Sequence, residues 1–163
     1  MPTTTLNVTS GNQAILTLGN SSVEAVPGNA AGFVIPLIQD ITINATPGTV
    51  RYSTLDSTSS SAFTTVNENG LSMNILLDND SFFGNSNIST NTVATNGLFN
   101  TSKDKTEVFF AVSMTGTGTT GDVYVSGKGF IGGLAPTASI DAAVWLSPLE
   151  LIVNGELTKV VEA

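Results

Sequence analysis

Three stretches of the chain place an apolar residue at every second position: Ile41, Ile43 and Ala45; Leu71, Met73, Ile75 and Leu77; and Val108, Phe110, Val112 and Met114. Successive side chains of a β-strand point to opposite faces, so this spacing buries one face and leaves the other in water. A helix would scatter the same residues around its axis. The chain is therefore read as mainly β. Only 11% of its residues are charged, while Ser, Thr, Asn and Gly are abundant, which favours strands and turns over helices. A length of 163 residues fits one domain, 1–163, able to bury roughly 70% of its extended-chain surface.

Taken in order, residues 1–13 are a polar N-terminal arm, with Leu6 and Val8 as its apolar points. Ala14–Leu18 reads as a short strand and Val23–Val26 as a weaker one, closed by Pro27-Gly28-Asn29. Phe33–Ala45 follows, and Pro47-Gly48 reads as a turn into Val50–Thr54. Residues 55–69 read as a long Ser/Thr-rich loop that carries Phe63 and Val66. Asn69-Gly70 is a hairpin-turn signal between Phe63–Val66 and Leu71–Asp78.

Residues 81–102 lose the alternation. Ile88, Ala94 and Leu98 loosely match a helical face, so one helix is expected near 86–99. Ser81 or Ser86 would start it, and Asn96-Gly97 or Asn100 would end it. Thr106–Met114 is the next strand. Two β-rich runs within residues 122–158, joined by Leu134–Ser139, read as a long antiparallel hairpin. Glycines 127, 129, 132 and 133 let it bend or admit another backbone, and Pro148 argues for an edge or a bulge. A short C-terminal tail, 157–163, holds Val160 and Val161, which could add a strand to a neighbour. The expected architecture is a two-sheet β-sandwich or distorted barrel with one flanking α-helix.

Composition narrows function by elimination. The chain has no cysteine and no histidine, which removes disulfides, thiolate metal sites, Ser-His and Cys-His nucleophiles and ordinary zinc sites. Five basic residues against thirteen acidic ones leave a net charge of −8, the wrong balance for displacing counterions from nucleic acid. No run of eighteen apolar residues exists, and the opening Met-Pro-Thr-Thr-Thr has neither a basic start nor an apolar core, so no membrane span and no secretory signal are expected.

Four local patterns invite chemistry, and each lacks its context. Gly127-Lys-Gly129-Phe-Ile-Gly132 has dinucleotide-loop spacing, but Gly133-Leu-Ala-Pro136 follows where a helix must start. Asp78-Asn-Asp80-Ser81 opens like a calcium loop, yet Phe83 replaces its glycine and Ser89 its final glutamate. A strand end plus a helix cap accounts for it better. Asp78 and Asp80, as a carboxylate pair, sit too close in sequence to face each other across a cleft. The Asn-x-Ser/Thr sequons follow from a chain rich in those residue types. No catalytic residue, metal site or cofactor is expected.

One family resemblance runs through the chain. Gly129-Phe130-Ile131-Gly132, then Leu134-Ala135-Pro136, Asp141, a strand bearing Trp145 and a closing Gly155-Glu156 resembles the C-terminal signature of tail tube (major tail) proteins of long-tailed bacteriophages. Arg51-Tyr52-Ser53-Thr54-Leu55-Asp56, the Ser/Thr loop, Asn69-Gly70 and Leu71–Asp80 are similar to that family's middle section, so the resemblance covers roughly residues 35–158. It implies a structural virion protein, assembled in the host cytoplasm, whose homohexameric rings stack into a conduit for DNA. Other tail proteins would meet the tube ends. The family's loop reaches the neighbouring ring, which points to Leu55, Asp56, Ser57, Phe63 and Val66 as stacking residues and to Leu6, Val8, Val160 and Val161 as terminal contacts. Fully extended, the loop would reach roughly 25 Å out and back. An acidic wall would keep DNA mobile, with Asp78, Glu107 and Asp122 as candidates to line it. The alternatives are a type VI secretion tube-like protein and a carbohydrate-binding or adhesin β-sandwich. Exposed aromatics in a groove would favour the last, whereas Trp145 is expected to be buried.

Overall fold

The computed structural model describes residues 14–35, 38–53, 59–87, 91–114, 121–138 and 144–162. Expectations for residues 1–13, including Leu6 and Val8, and for Leu55, Asp56, Ser57, Ile88, Ser89 and Asp141, lie outside the described residues.

The elements run β1 (Ile15–Gly19), β2 (Phe33–Ile35), β3 (Ile38–Tyr52), β4 (Ser61–Leu77), α1 (Asn79–Phe83), α2 (Thr92–Lys103), β5 (Val108–Ser113), β6 (Val123–Ile131), β7 (Thr137–Ala138), β8 (Trp145–Val153) and β9 (Thr158–Val161). All the strands join one antiparallel sheet in the order β2-β1-β5-β6-β8-β4-β3. β7 pairs with β8, and β9 pairs with β6. The sheet is not closed, yet its distant strands share one core: Leu16 and Leu18 of β1, Leu71, Met73 and Ile75 of β4, Phe110 of β5 and Leu149 and Leu151 of β8 cluster with Val93 and Leu98 of α2. A flat sheet could not bring those faces together, so it curls around its own interior like a distorted barrel, and α2 fills the gap.

The period-two stretches fold as their spacing requires. Leu71, Met73 and Ile75 are buried, with Ser72 and Asn74 exposed between them, and Val108, Phe110 and Val112 are buried in β5. Met114 lies just past the end of β5 and is exposed.

Five expectations need correction. Val23–Val26 is turn and bend, not strand. Pro47-Gly48 is not a turn: β3 runs straight through it, with a register shift between Pro47 and Thr49. Asn69-Gly70 is not a turn either, because Asn69 pairs with Ala45 and Gly70 with both Asn44 and Ile152. The β-branched and aromatic run Phe63-Thr64-Thr65-Val66 extends β4 outward, and pairing along β3 overrides the local turn preference. β8 is an interior strand despite Pro148, which falls in the interval between the β7 pairing at Leu146 and the β6 pairing at Leu151. In that interval residues 132–135 pass beside it, with the Gly132 amide donating to the Glu150 carbonyl (2.8 Å) and the Ala135 amide to Ser147 Oγ (3.1 Å). Finally, the single helix expected near 86–99 is two, α1 and α2. Asp78 caps the first by accepting from the Ser81 amide (2.6 Å), which fits the capping account of that acidic stretch.

β9 returns the chain to β6, with Tyr124 opposite Val160 and Val123 opposite Val161. Burial, then the nearby Glu162 carboxylate, raises the Tyr124 hydroxyl above its ordinary value of 10.0.

α2 is tied to the sheet by Asn91, only 1% exposed. Its Oδ1 accepts from the Val93 (2.9 Å) and Ala94 (3.3 Å) amides, and its Nδ2 donates to the carbonyls of Leu18 (3.3 Å) and Ala31 (2.8 Å). One side chain thus caps α2 and anchors it to β1 and to the segment before β2. Asn91→Ala strips buried partners from all four groups, and the expected loss is about 2–4 kcal/mol of unfolding free energy. Urea titration of the purified variant checks it.

Candidate functional site

β4 has a partner on each side only along its inner half. From Gly70 to Ile75 it lies between β3 and β8, whereas from Ser61 to Asn69 it pairs with β3 alone. Residues Ala45–Tyr52 and Ser61–Asn69 therefore form a two-stranded ribbon extending beyond the last β8 pair, about 30 Å long at the usual rise per strand residue. The residues expected to form a loop are largely this ribbon, and Phe63 and Val66 are strand residues in it.

A bulge sets which way the ribbon's side chains face. Pro47 pairs with Asn67 and Thr49 with Thr64, so Thr65 and Val66 together oppose Gly48. A Cβ on Gly48 would meet Thr65 Oγ1 and crowd the Val66 carbonyl (2.9 Å), so the close pairing there favours glycine. Beyond the bulge Val50 pairs with Phe63 and Tyr52 with Ser61, placing Val50, Tyr52 and Phe63 on one face. The Tyr52 and Phe63 rings meet at 6.1 Å, and all three residues are exposed. Val66 is 86% exposed. Among the described residues of the outer ribbon, 47–53 and 59–66, Arg51 carries the only charge, and it makes no ion pair there.

The opposite end of β4 carries a second apolar surface that the sequence reading missed. Gly84, with φ of 88°, ends α1 against Gly97, with φ of 70°, where the helical conformation of α2 breaks. A Cβ on either glycine would collide with the other segment's backbone, so α1 and α2 touch main chain to main chain. That contact gathers Phe82, Phe83 and Phe99, with ring separations of 4.8, 5.6 and 6.2 Å. Trp145 opens β8 opposite Leu77. Contrary to expectation it is 55% exposed. Its parity matches the buried Ser147, Leu149 and Leu151, but β8 begins beyond the end of the core. Leu77, Asp78, Phe82, Phe83, Pro136 and Trp145 line a groove of about 190 Å³. The available signal was the Phe82-Phe83 pair inside an otherwise polar stretch.

The three acidic candidates are not brought together. Asp78 is exposed beside this groove. Glu107 lies 3.6 Å from Lys128 Nζ and accepts from Asn154 Nδ2 (2.6 Å), so its charge is locally compensated. Asp122 precedes β6, near the strand's other end from Lys128. Val160 and Val161 pair within their own chain, to β6. Gly127–Ile131 lies inside β6, and no helix follows it among the described residues. Among the described residues, no group of three or more potential metal ligands gathers, and no helix is long and apolar enough to cross a membrane.

No family model and no curated protein matches this sequence. Solved structures do share its fold. A chain in the tail of an empty gene transfer agent particle, determined by helical refinement with C6 symmetry, is similar at 13% identity and a TM-score of 0.63, over 94% of this chain and all of that one. A chain in the virion of a native gene transfer agent particle is similar at 11% identity and a TM-score of 0.62, again over 94% of this chain and all of that one. The fold is thus that of phage-like tail particle chains, in keeping with the family resemblance read in the sequence.

Exposure separates what holds the body together from what the ribbon displays. Phe63→Ala is expected to change stability by no more than about 0.5 kcal/mol, as for other surface substitutions. Phe110→Ala, at a position 0% exposed, is expected to cost about 3–5 kcal/mol. Paired urea melts of the two variants provide the comparison.

Proposed function

We propose that this chain is a structural subunit of a phage-like tail tube: six copies form a ring, rings stack, and DNA passes through without specific binding. The observation that carries this reading is a fold shared along 94% of the chain with a chain in a gene transfer agent tail refined with C6 symmetry. The ribbon supports it independently. A two-stranded ribbon with exposed apolar residues is marginal in water alone and gains by packing on another molecule. The outer edges of β3 and β2, which pair with no further strand among the described residues, give the sheet places to join its copies. The role is that of a building block, with no catalytic step. The subunit works in the virion tail, is assembled in the host cytoplasm, and meets other tail proteins at the tube ends.

The exposed Trp145 and Phe83 are the feature a sugar-binding sandwich would also display, and failure to assemble would return attention to that reading. Concentrated protein is expected to form rings or hollow tubes in negative-stain images. Replacing residues 47–67 with a two-residue Asn-Gly turn between the paired Thr46 and Glu68 is expected to leave a folded body that makes no tubes. Intact tubes from that variant would remove the ribbon from the assembly.

Charge gives a second test. At −8 per subunit, an assembled wall repels phosphate over a screening length of about 8 Å at physiological salt. Asp78 and Asp122 are proposed to contribute to that field from separate positions, and Glu107 less so, because Lys128 offsets its charge. The assembled protein is expected to leave duplex DNA unretarded in a low-salt gel shift. Retardation would mean a cationic surface and would overturn the repulsive conduit.

A further inference from the structure

We infer that Lys128, Glu107 and Asn154 form a self-modifying site, in which the lysine and asparagine side chains join in an isopeptide bond that staples β6 to the end of β8. The site lies apart from the ribbon and the aromatic groove, and it needs no second copy of the chain. Strand register brings the three residues together. Phe109 pairs with Lys128 and Val108 with Gly129, while Gly129 pairs with Val153 on its other side. Glu107 stands one residue before β5, and Asn154 one residue after β8. The ladder continues past the last β6–β8 pair, because the Asn154 amide donates to the Lys128 carbonyl (2.8 Å). Lys128 is therefore opposite Asn154 and diagonal to Glu107, with all three side chains on the face away from the buried Val108 and Phe110. The half-buried Phe109 and Phe130 share that face.

One carboxylate touches both reacting groups. Glu107 Oε2 lies 3.6 Å from Lys128 Nζ, and Oε1 accepts from Asn154 Nδ2 at 2.6 Å. A proton shuttle between a nucleophile and its leaving group needs that placement. The Lys128 ammonium gives one proton to Glu107, and the freed amine adds to Asn154 Cγ. Glu107 returns its proton to Nδ2 as the Cγ–Nδ2 bond breaks. The amine's next proton passes to the departing ammonia, so ammonium leaves and an Nζ–Cγ amide remains. Nothing is oxidised or reduced, and the step occurs once per chain. Amides resist amines in free solution, and the shared ladder supplies the proximity that the reaction requires. Lys128 and Glu107 keep 46% and 32% of their side-chain surface exposed, so water competes for the ammonium and the bond forms slowly. Its place in the sheet is a fork. β6 leaves β8 after the pairs at Gly129–Ile131 and takes β9 along Val123–Ser126, and the bond pins the point of division.

The full-length subunit, unassembled, is incubated at neutral and at mildly alkaline pH while its intact mass is followed. Alkaline conditions hasten the step, because only an unprotonated amine attacks. The wild type is expected to lose the mass of one ammonia. Digestion after glutamate cuts between the two residues at Glu150, and their fragments are expected to stay joined. Lys128→Arg keeps the positive charge and Glu107→Gln keeps the side-chain length; both are expected to retain full mass while melting in urea as folded proteins. An unchanged wild-type mass at both pH values overturns the bond. So does an ammonia loss that persists in Lys128→Arg with the fragments separate, since that marks cyclisation at an Asn-Gly step such as Asn154-Gly155. Imaging of tubes judges the assembly reading independently of either result.

Discussion

The hydrogen-bond ladder of β4 is the constraint on which the rest of the molecule depends. Along Gly70–Ile75 that ladder is filled on both sides, and Leu71, Met73 and Ile75 enter the core. Slipping the register by one residue would turn all three into water, so the pairing with β3 is fixed there. The outer ribbon inherits its register from the body. That is how a two-stranded element with little burial of its own can hold Val50 against Phe63. Rigidity made in the core is passed outward along continuous strands.

The interior was legible in the sequence because burial on one face of a strand leaves a direct trace. Leu71, Met73, Ile75, Val108, Phe110 and Val112 could be assigned from spacing, and the structure buries each of them. The ribbon was not legible, since an exposed strand has no such stripe. Pro47-Gly48 and Asn69-Gly70 have the local chemistry of turns, and only the long pairing of β3 with β4 shows that they are not. The bulge opposite Gly48 compounds the difficulty: counting back by twos from Leu71 puts Phe63 on the inner side, and the extra residue in β4 moves it to the outer one. Trp145 was misplaced for a related reason. Its parity is inward, but parity says nothing about where the core ends.

The aromatic surface depends on a contact that no hydrophobic pattern encodes. Gly84 and Gly97 let two main chains meet, and that meeting sets Phe82 and Phe83 beside Phe99. Asn91 secures the same region to β1. The surface is therefore built on a rigid crossing rather than a loose loop. At 13% identity to a structure of the same fold, what the two chains share is an arrangement of pairing and burial, which many sequences can satisfy.

Having the ribbon tip at one end of β4 and the aromatic groove at the other gives the subunit a polarity. Any filament joined through those surfaces inherits it, and its two termini are chemically unlike: one displays a free apolar finger, the other an empty aromatic notch flanked by carboxylates. No single stopper could seal both. Capping such a filament would then call for a different surface at each end.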